Sequence, residues 1–368
     1  MVFHKTHGMN QPLFSMRTLY VSRTPADSSV YPTISAALDA IPMDLNEPAC
    51  IYLAPGIYHE KITINKPYLT ILGTGKSNKD VVLTYDDYAL APMADIGKLG
   101  TFRSYSVFID THDVTLQNLT IENASGDSLT HGQAIALYAD GDRLVIDSCR
   151  LIGHQDTLFT GPLPPKEIEP DGFIGPKQFA PRINGRQYYK NCYICGDIDF
   201  IFGSATAYFE SCVIESLRRT TDANDIQGYV TAASTPEGQE YGYVFSNCKL
   251  ISKNCPPNSV YLGRPWRNYA KTVFLECALG NHIHECGFHD WKKEDARNTV
   301  LYAEYRNYPA SSADTTSNNR SLNDDIHCID GRCIPYPHRA EYVCELDAVQ
   351  AEHFSKENVL SGADYWNP

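Results

Sequence analysis

Val145-Ile146-Asp147-Ser148-Cys149-Arg150-Leu151 is a short apolar stretch closed by a small polar residue, a cysteine and, two places on, a leucine. The arrangement returns in Tyr189-Lys190-Asn191-Cys192-Tyr193-Ile194 and Phe209-Glu210-Ser211-Cys212-Val213-Ile214. It returns again in Phe245-Ser246-Asn247-Cys248-Lys249-Leu250 and Phe274-Leu275-Glu276-Cys277-Ala278-Leu279. An earlier copy, Leu116-Gln117-Asn118-Leu119-Thr120-Ile121, carries leucine in place of cysteine. The last three positions alternate in and out, as a strand does. Positions 119, 149, 192, 212, 248 and 277 are 30, 43, 20, 36 and 29 residues apart. Short strands recurring at about 20 residues plus variable insertions describe a solenoid. With little helical periodicity between them, the chain is predicted to be all-β, a parallel β-helix that adds strands coil by coil and sheds insertions as outer loops.

In that fold the repeat cysteines form an internal ladder of small apolar fillers rather than disulfides. Removing them leaves Cys50, Cys195, Cys255, Cys286, Cys328, Cys333 and Cys344, an odd number without convincing metal spacing. Reduced thiols fit a cytoplasmic protein. Around the repeat, Ile34, Leu38 and Ile41 mark a short helix capping the N-terminal end. Pro309 to Arg320 reads as a loop, and Ala340 to Val359 as helical. One domain is expected over 1–368, with an N-terminal extension over about 1–17 and an inserted loop over about 160–186.

The 368 residues are 43% hydrophobic and 20% charged, enough for a sizeable core. Lys plus Arg number 31 against 44 Asp plus Glu, a net charge of −13. That balance disfavours nucleic acid as a partner, since phosphate contacts need clustered cations. No run of about 18 apolar residues exists, so no membrane partner is expected. The start, Met1-Val2-Phe3-His4-Lys5, has no apolar signal region. The expectation is a cytoplasmic location; the alternative is a secreted protein whose signal is absent from this sequence.

Three segments set polar groups inside apolar strands. They are His131-Gly132-Gln133-Ala134-Ile135, Gly153-His154-Gln155-Asp156-Thr157-Leu158 and Gly196-Asp197-Ile198-Asp199-Phe200. Gln133 and Gln155 are 22 residues apart, about one coil. Gln155 and Asp199 are 44 apart, but Thr160 to Arg186 reads as an insertion of Pro, Gly and charged residues. Strands about 4.8 Å apart would make Gln133, Asp156 and Asp199 neighbours on one outward face. Adjacent carboxylates push one pKa up, so one can act as nucleophile and the other as proton donor. Nearby primary amides can serve a developing oxyanion. Each residue alone would be read as solvating its strand; three in register argue for a site. Leu262-Gly263-Arg264-Pro265-Trp266 adds a cation and a ring. Arg264 could keep Asp199 ionised or bind a substrate carboxylate, and Trp266 could stack on a sugar or simply pack.

Five ordered segments resemble the pectin methylesterase (pectinesterase) family. They are Gly56-Ile57-Tyr58-His59-Glu60, Gly132-Gln133-Ala134-Ile135-Ala136-Leu137, Gln155-Asp156-Thr157-Leu158, Asp199-Phe200-Ile201-Phe202-Gly203 and Leu262-Gly263-Arg264-Pro265-Trp266. The ending from Val359 to Pro368 is also similar, and the resemblance covers roughly 18–368. It implies a right-handed parallel β-helix and hydrolysis of galacturonate methyl esters in pectin or pectic oligosaccharides to methanol and carboxylate, with no cofactor and no metal. Carried over, Asp199 matches the nucleophile and Asp156 the general acid and then base. Gln133 and Gln155 match the oxyanion donors, Arg264 the residue orienting Asp199, and Trp266 a sugar platform. Thr101, Tyr138 and Phe202 sit where the family contacts substrate. A monomer is the default for the fold.

Two features depart from the family. The segment between the aspartates is longer by roughly 20 residues, which suggests a wall at one end of the cleft and a taste for short oligomers or chain ends. The missing signal would require imported oligomers. Rival readings are a pectin lyase or polygalacturonase, a non-catalytic carbohydrate binder, and a serine esterase. The last rests on Gly126-Asp127-Ser128-Leu129 with Asp324-Asp325-Ile326-His327.

Overall fold

A computed structural model describes residues 16–43, 47–94, 97–310 and 338–368. Three long parallel sheets of twelve, nine and seven strands run the length of the stack. One coil contributes Leu144–Asp147, Arg150–Ile152 and Leu158–Thr160, one strand to each sheet. The next contributes Arg186–Lys190, Tyr193–Gly196 and Ile198–Gly203. The two lie in register, Leu144 opposite Gln187, Arg150 opposite Tyr193 and Leu158 opposite Ile201. This is the expected right-handed parallel β-helix.

The repeat motif makes one corner of each coil. Between the strands of the twelve- and nine-stranded sheets stands one residue with positive φ: Asn118, Ser148, Asn191, Ser211, Asn247 and Glu276, all between 52° and 55°. Short polar side chains, Asn above all, tolerate this left-handed conformation best. The turn drives the following Leu119, Cys149, Cys192, Cys212, Cys248 or Cys277 into the interior. Each thiol donates to a carbonyl one coil earlier, Cys149 to Leu116, Cys192 to Ile146, Cys212 to Tyr189, Cys248 to Phe209 and Cys277 to Phe245, at 3.1–3.5 Å. The ten described cysteines are all free thiols; Cys328 and Cys333 lie outside the described residues.

Beside the thiols runs a stack of rings. Tyr189, Phe209, Phe245 and Phe274 lie face to face with centroids 4.4–4.6 Å apart and planes within 11°. The spacing is that of the strands carrying them, so strand pairing and ring stacking reinforce each other.

The helix Ile34–Asp39 buries Ile34, Ala37 and Leu38 against the first coil. Glu60 accepts from the Ile34 and Ser35 amides at 3.0 and 3.1 Å, so the acidic residue of Gly56-Ile57-Tyr58-His59-Glu60 serves that helix start. Tyr58 in the same segment is fully buried and donates to the Ala54 carbonyl at 2.8 Å. The stretch expected to be helical over 340–359 divides into the strand Val343–Glu345 and the helices Ala348–Glu352 and Lys356–Leu360. Asp347 and Gln350 form a reciprocal cap that starts the first of these. Both lie along the outer face of the twelve-stranded sheet, where Phe354, Val359 and Leu360 cover Tyr188 and Tyr208. Arg186 fastens the tail, donating to the Leu360 and Ser361 carbonyls at 3.1 and 3.0 Å.

Candidate active site

The site lies on the seven-stranded sheet, at the corner where each coil enters it. Asp156 and Asp199 stand at that corner in successive coils, with φ of 65° and 50°. The register of Leu158 with Ile201 places them at matched positions. A bulge holds Asp199: Ile198 pairs with Tyr229 but Ile201 with Thr231, one residue too many on the Asp199 side. Bulges re-aim side chains, and positive φ in an aspartate is a conformation that the surrounding sheet must impose. Gly203 ends the strand at φ 129°, where an added Cβ would stand 2.1 Å from the Thr160 carbonyl oxygen.

Both carboxylates are 7% exposed. Arg264 grips Asp199 with both arms, Nε to Oδ1 at 2.8 Å and Nη2 to Oδ2 at 2.7 Å. Its guanidinium lies between the rings of Tyr229 and Trp291, 3.8 and 3.7 Å from their centroids. The fork is therefore fixed in plane and partly dehydrated, which strengthens its pull on Asp199. Burial raises the Asp199 pKa, and Arg264 works against that rise. Burial raises Asp156 well above the ordinary carboxylate range, and the charge of Asp199 raises it further. Environment thus sets the two apart: the paired hydrogen bonds of Arg264 oppose the rise at Asp199, while the charge of Asp199 adds to the rise at Asp156.

Gln133 and Gln155 meet as neighbours in a parallel bridge, one coil apart. They line a cleft of about 890 Å³ with Asp156, Asp199 and Arg264. Thr101, Phe202 and Trp266 line it too. Tyr138 does not: its ring is fully buried beneath Phe102, Phe108 and Phe159. Tyr138 does point outward from its strand, but Phe102, Leu163 and Phe173 cover that face in one apolar cluster. Trp291 and Lys293 were not anticipated and belong to the cleft wall. Between the strands Leu158–Thr160 and Arg186–Lys190 the inserted loop brings Ile168 to Ile174 to the cleft. Arg182 braces it from within, donating to the carbonyls of Pro164, Lys177, Gln178 and Ala180 at 2.6–3.2 Å.

Ser128, the serine of the esterase-like block, is 5% exposed and donates to the buried Asp197 at 2.7 Å. His154 Nδ1 lies 3.3 Å from the same carboxylate oxygen. Asp197 also accepts from the Ile198 amide at 2.6 Å, so this group braces the bulge beneath Asp199. Asp324 and His327 lie outside the described residues. Among the described residues no group of three His, Cys, Asp or Glu side chains is placed to hold a metal.

The Pectinesterase family profile matches residues 21–162 and 182–323. The chain belongs to the pectinesterase family. The break between the two matched stretches falls on the inserted loop. Among pectinesterase relatives, Pectinesterase 31 of Arabidopsis thaliana is 31% identical over 318 residues, 84% of this chain and 90% of that one. A probable pectinesterase A of Neosartorya fischeri is 35% identical over 301 residues, 80% of each chain. The solved pectin methylesterase PemA of Erwinia chrysanthemi superposes with a TM-score of 0.70 at 26% identity, over 96% of this chain and 99% of that one. A pectin methylesterase crystallised with a hexasaccharide gives 0.71, also at 26% identity, over 96% of this chain and all of that one.

Proposed function

We propose that this pectinesterase removes methyl groups from esterified galacturonate in pectin or pectic oligosaccharides, with Asp199 as nucleophile. The observation that carries the assignment is the two-armed grip of Arg264 on Asp199, one coil from an Asp156 that forms no ion pair among the described residues. Asp199 attacks the ester carbonyl carbon, and the oxyanion that forms accepts from the amides of Gln133 and Gln155. The intermediate collapses as Asp156 gives its proton to the departing methoxide, releasing methanol and leaving an acyl group on Asp199. Asp156, now a carboxylate, takes a proton from water, whose oxygen attacks the acyl carbon. The carbon–oxygen bond to Asp199 breaks, galacturonic acid leaves and gives its proton to solvent as the carboxylate forms, and both aspartates return to their starting states. Trp266 supplies an apolar face for a sugar ring, with Thr101 and Phe202 on the wall.

Methanol release from methylated oligogalacturonides and from highly methylated pectin, with wild type and Asp199→Ala, tests the assignment. A loss of about 10³-fold or more in the variant is expected. Comparable methanol from both proteins would remove Asp199 from the role. Activity on pectin favours the secreted alternative over the cytoplasmic one, because the polymer cannot enter a cell. The inserted loop lining the cleft supports a preference for short oligomers.

A further inference from the structure

Ser128, His154 and Asp197 do not line the cleft, yet they converge on one another. Each belongs to a different coil, and each lies where the chain passes from the nine-stranded to the seven-stranded sheet. Each also shortly precedes a residue of the site. Ser128 is five residues before Gln133, His154 two before Asp156, and Asp197 two before Asp199. The Asp197 carboxylate, 1% exposed, is the meeting point. Its Oδ2 accepts from the Ser128 hydroxyl at 2.7 Å and stands 3.3 Å from His154 Nδ1, and its Oδ1 accepts from the Ile198 amide at 2.6 Å. Ser128 directs its proton to the carboxylate and not to the imidazole, so it is not set up as a nucleophile.

The bonds around Asp197 run on into the reacting groups. Ile198 gives its N–H to Asp197, and its carbonyl accepts from the Asp156 amide at 3.1 Å. Ile198 is thus held from both sides directly ahead of Asp199 and its φ of 50°. Ser128 opens the short helix Ser128–His131, and its carbonyl accepts from the Gly132 amide at 3.0 Å, one residue before Gln133. The Asp197 carbonyl accepts at 3.0 Å from the amide of Tyr229, whose ring backs Arg264. A buried carboxylate is costly unless hydrogen bonds match its oxygens, so these contacts admit little rearrangement. The titratable groups in its field are His154, Asp156, Asp199 and Cys255. Burial is the largest cause of the raised pKa of Asp156 and of Asp199, and the charge of Asp197 adds to both.

We propose that Asp197 is a positioning residue for the esterase reaction: its carboxylate pins the three turns that carry Gln133, Asp156 and Asp199, with Ser128 and His154 as its clamps. This rests on the pectinesterase reading above. It gives the serine of the esterase-like block a task in the reaction without making it a nucleophile.

The test compares wild type with Asp197→Ala, Asp197→Asn and Ser128→Ala in the full chain. For methanol release from methylated oligogalacturonides, Asp197→Ala should lose about 10²-fold in kcat while KM changes by less than about threefold. Ser128→Ala removes one clamp and should lose about tenfold. In Asp197→Asn the side-chain oxygen still accepts from Ile198 and the new amide donates to Ser128, so most of the kcat should return. That variant lacks the charge, so both limbs of its pH profile should move to lower pH. Amide hydrogen exchange in Asp197→Ala should quicken over 128–136 and 154–158 as well as over 196–200. Exchange that quickens only over 196–200 would overturn the proposal. So would an unchanged kcat in Asp197→Ala, a KM that rises in step with the loss, or a pH profile that stays in place in Asp197→Asn. Heat-denaturation curves check folding; should Asp197→Ala fail that check, Ser128→Ala carries the kcat and exchange comparisons. Exchange is read without turnover, so a wild type that releases no methanol would defeat the esterase reading alone.

Discussion

Asp156 and Asp199 occupy matched corners of successive coils, yet only Asp199 faces a guanidinium. What separates their titration is therefore a property of neighbours. Both are buried, and burial raises the pKa of each. A carboxyl with a raised folded-state pKa contributes full stability below the unfolded value, about 3.9. That contribution fades as pH climbs toward the folded pKa. Asp156→Asn should thus be more stable than wild type at pH 7, by on the order of 2 kcal/mol. The gap should close below about pH 4. Denaturant unfolding at the two pH values measures it. In wild type, kcat/KM should fall on the acid side as Asp199 protonates and on the alkaline side as Asp156 ionises, a bell whose alkaline limb disappears if Asp156 is not the acid. Gln133, Asp156 and Asp199 were legible as neighbours because coil length aligns them once the insertion over 160–186 is set aside, whereas the roles of Gln155 and Arg264 were legible only through the family motifs. Trp291 and Lys293 were not, because the segment from 280 to 300 has no strand repeat to give it register. Tyr138 differs for another reason: the family motif gives its position, but not the Phe102 and Phe173 that cover it here.

At the scale of elements, the repeat motif encodes a corner, a filler and a strand start in consecutive residues. The small polar residue and the buried thiol were readable as a pattern, but the left-handed conformation of the polar residue was not. The ring stack became visible only once register placed Tyr189, Phe209, Phe245 and Phe274 in line. Phe209 stands inside that stack with a ring on each side, at 4.6 and 4.4 Å. Phe209→Ala should cost about 3–5 kcal/mol in denaturant unfolding, since neither neighbouring strand can close the gap without leaving register. A cost under about 1 kcal/mol would mean that the core relaxes around it. The C-terminal helices were the least legible part. Each is five residues long, too short for periodicity to separate them from the strand before them.

For the whole molecule, the inserted loop is the largest departure from the family pattern, and the two matched stretches of the family profile stop on either side of it. It is fastened away from its own strands, by Lys177 to Asp110 at 2.6 Å and by the Lys166 carbonyl to Arg267 at 2.8 Å. Phe173 seats it against Phe102 and Trp266, with centroids 5.7 and 6.2 Å away. Replacing 163–181 with a short linker should raise kcat/KM on long pectin relative to short methylated oligomers by about tenfold. An unchanged ratio would show that the loop does not select by chain length. Its seat on Trp266 also predicts that trimming disturbs the sugar platform, so the oligomer rate should itself decline.

The cysteine at each corner gives the stack an internal clock. A thiol that is 0–1% exposed is silent to an alkylating reagent until its own coil opens, and Cys149, Cys192, Cys212, Cys248 and Cys277 sit at this depth in five coils. Exposed Cys344 reacts at once and sets the zero of time. Because each coil of a solenoid is held only by the coils beside it, opening spreads between neighbours. The order in which the five sites acquire label would therefore record from which end, and in how many steps, the molecule comes apart.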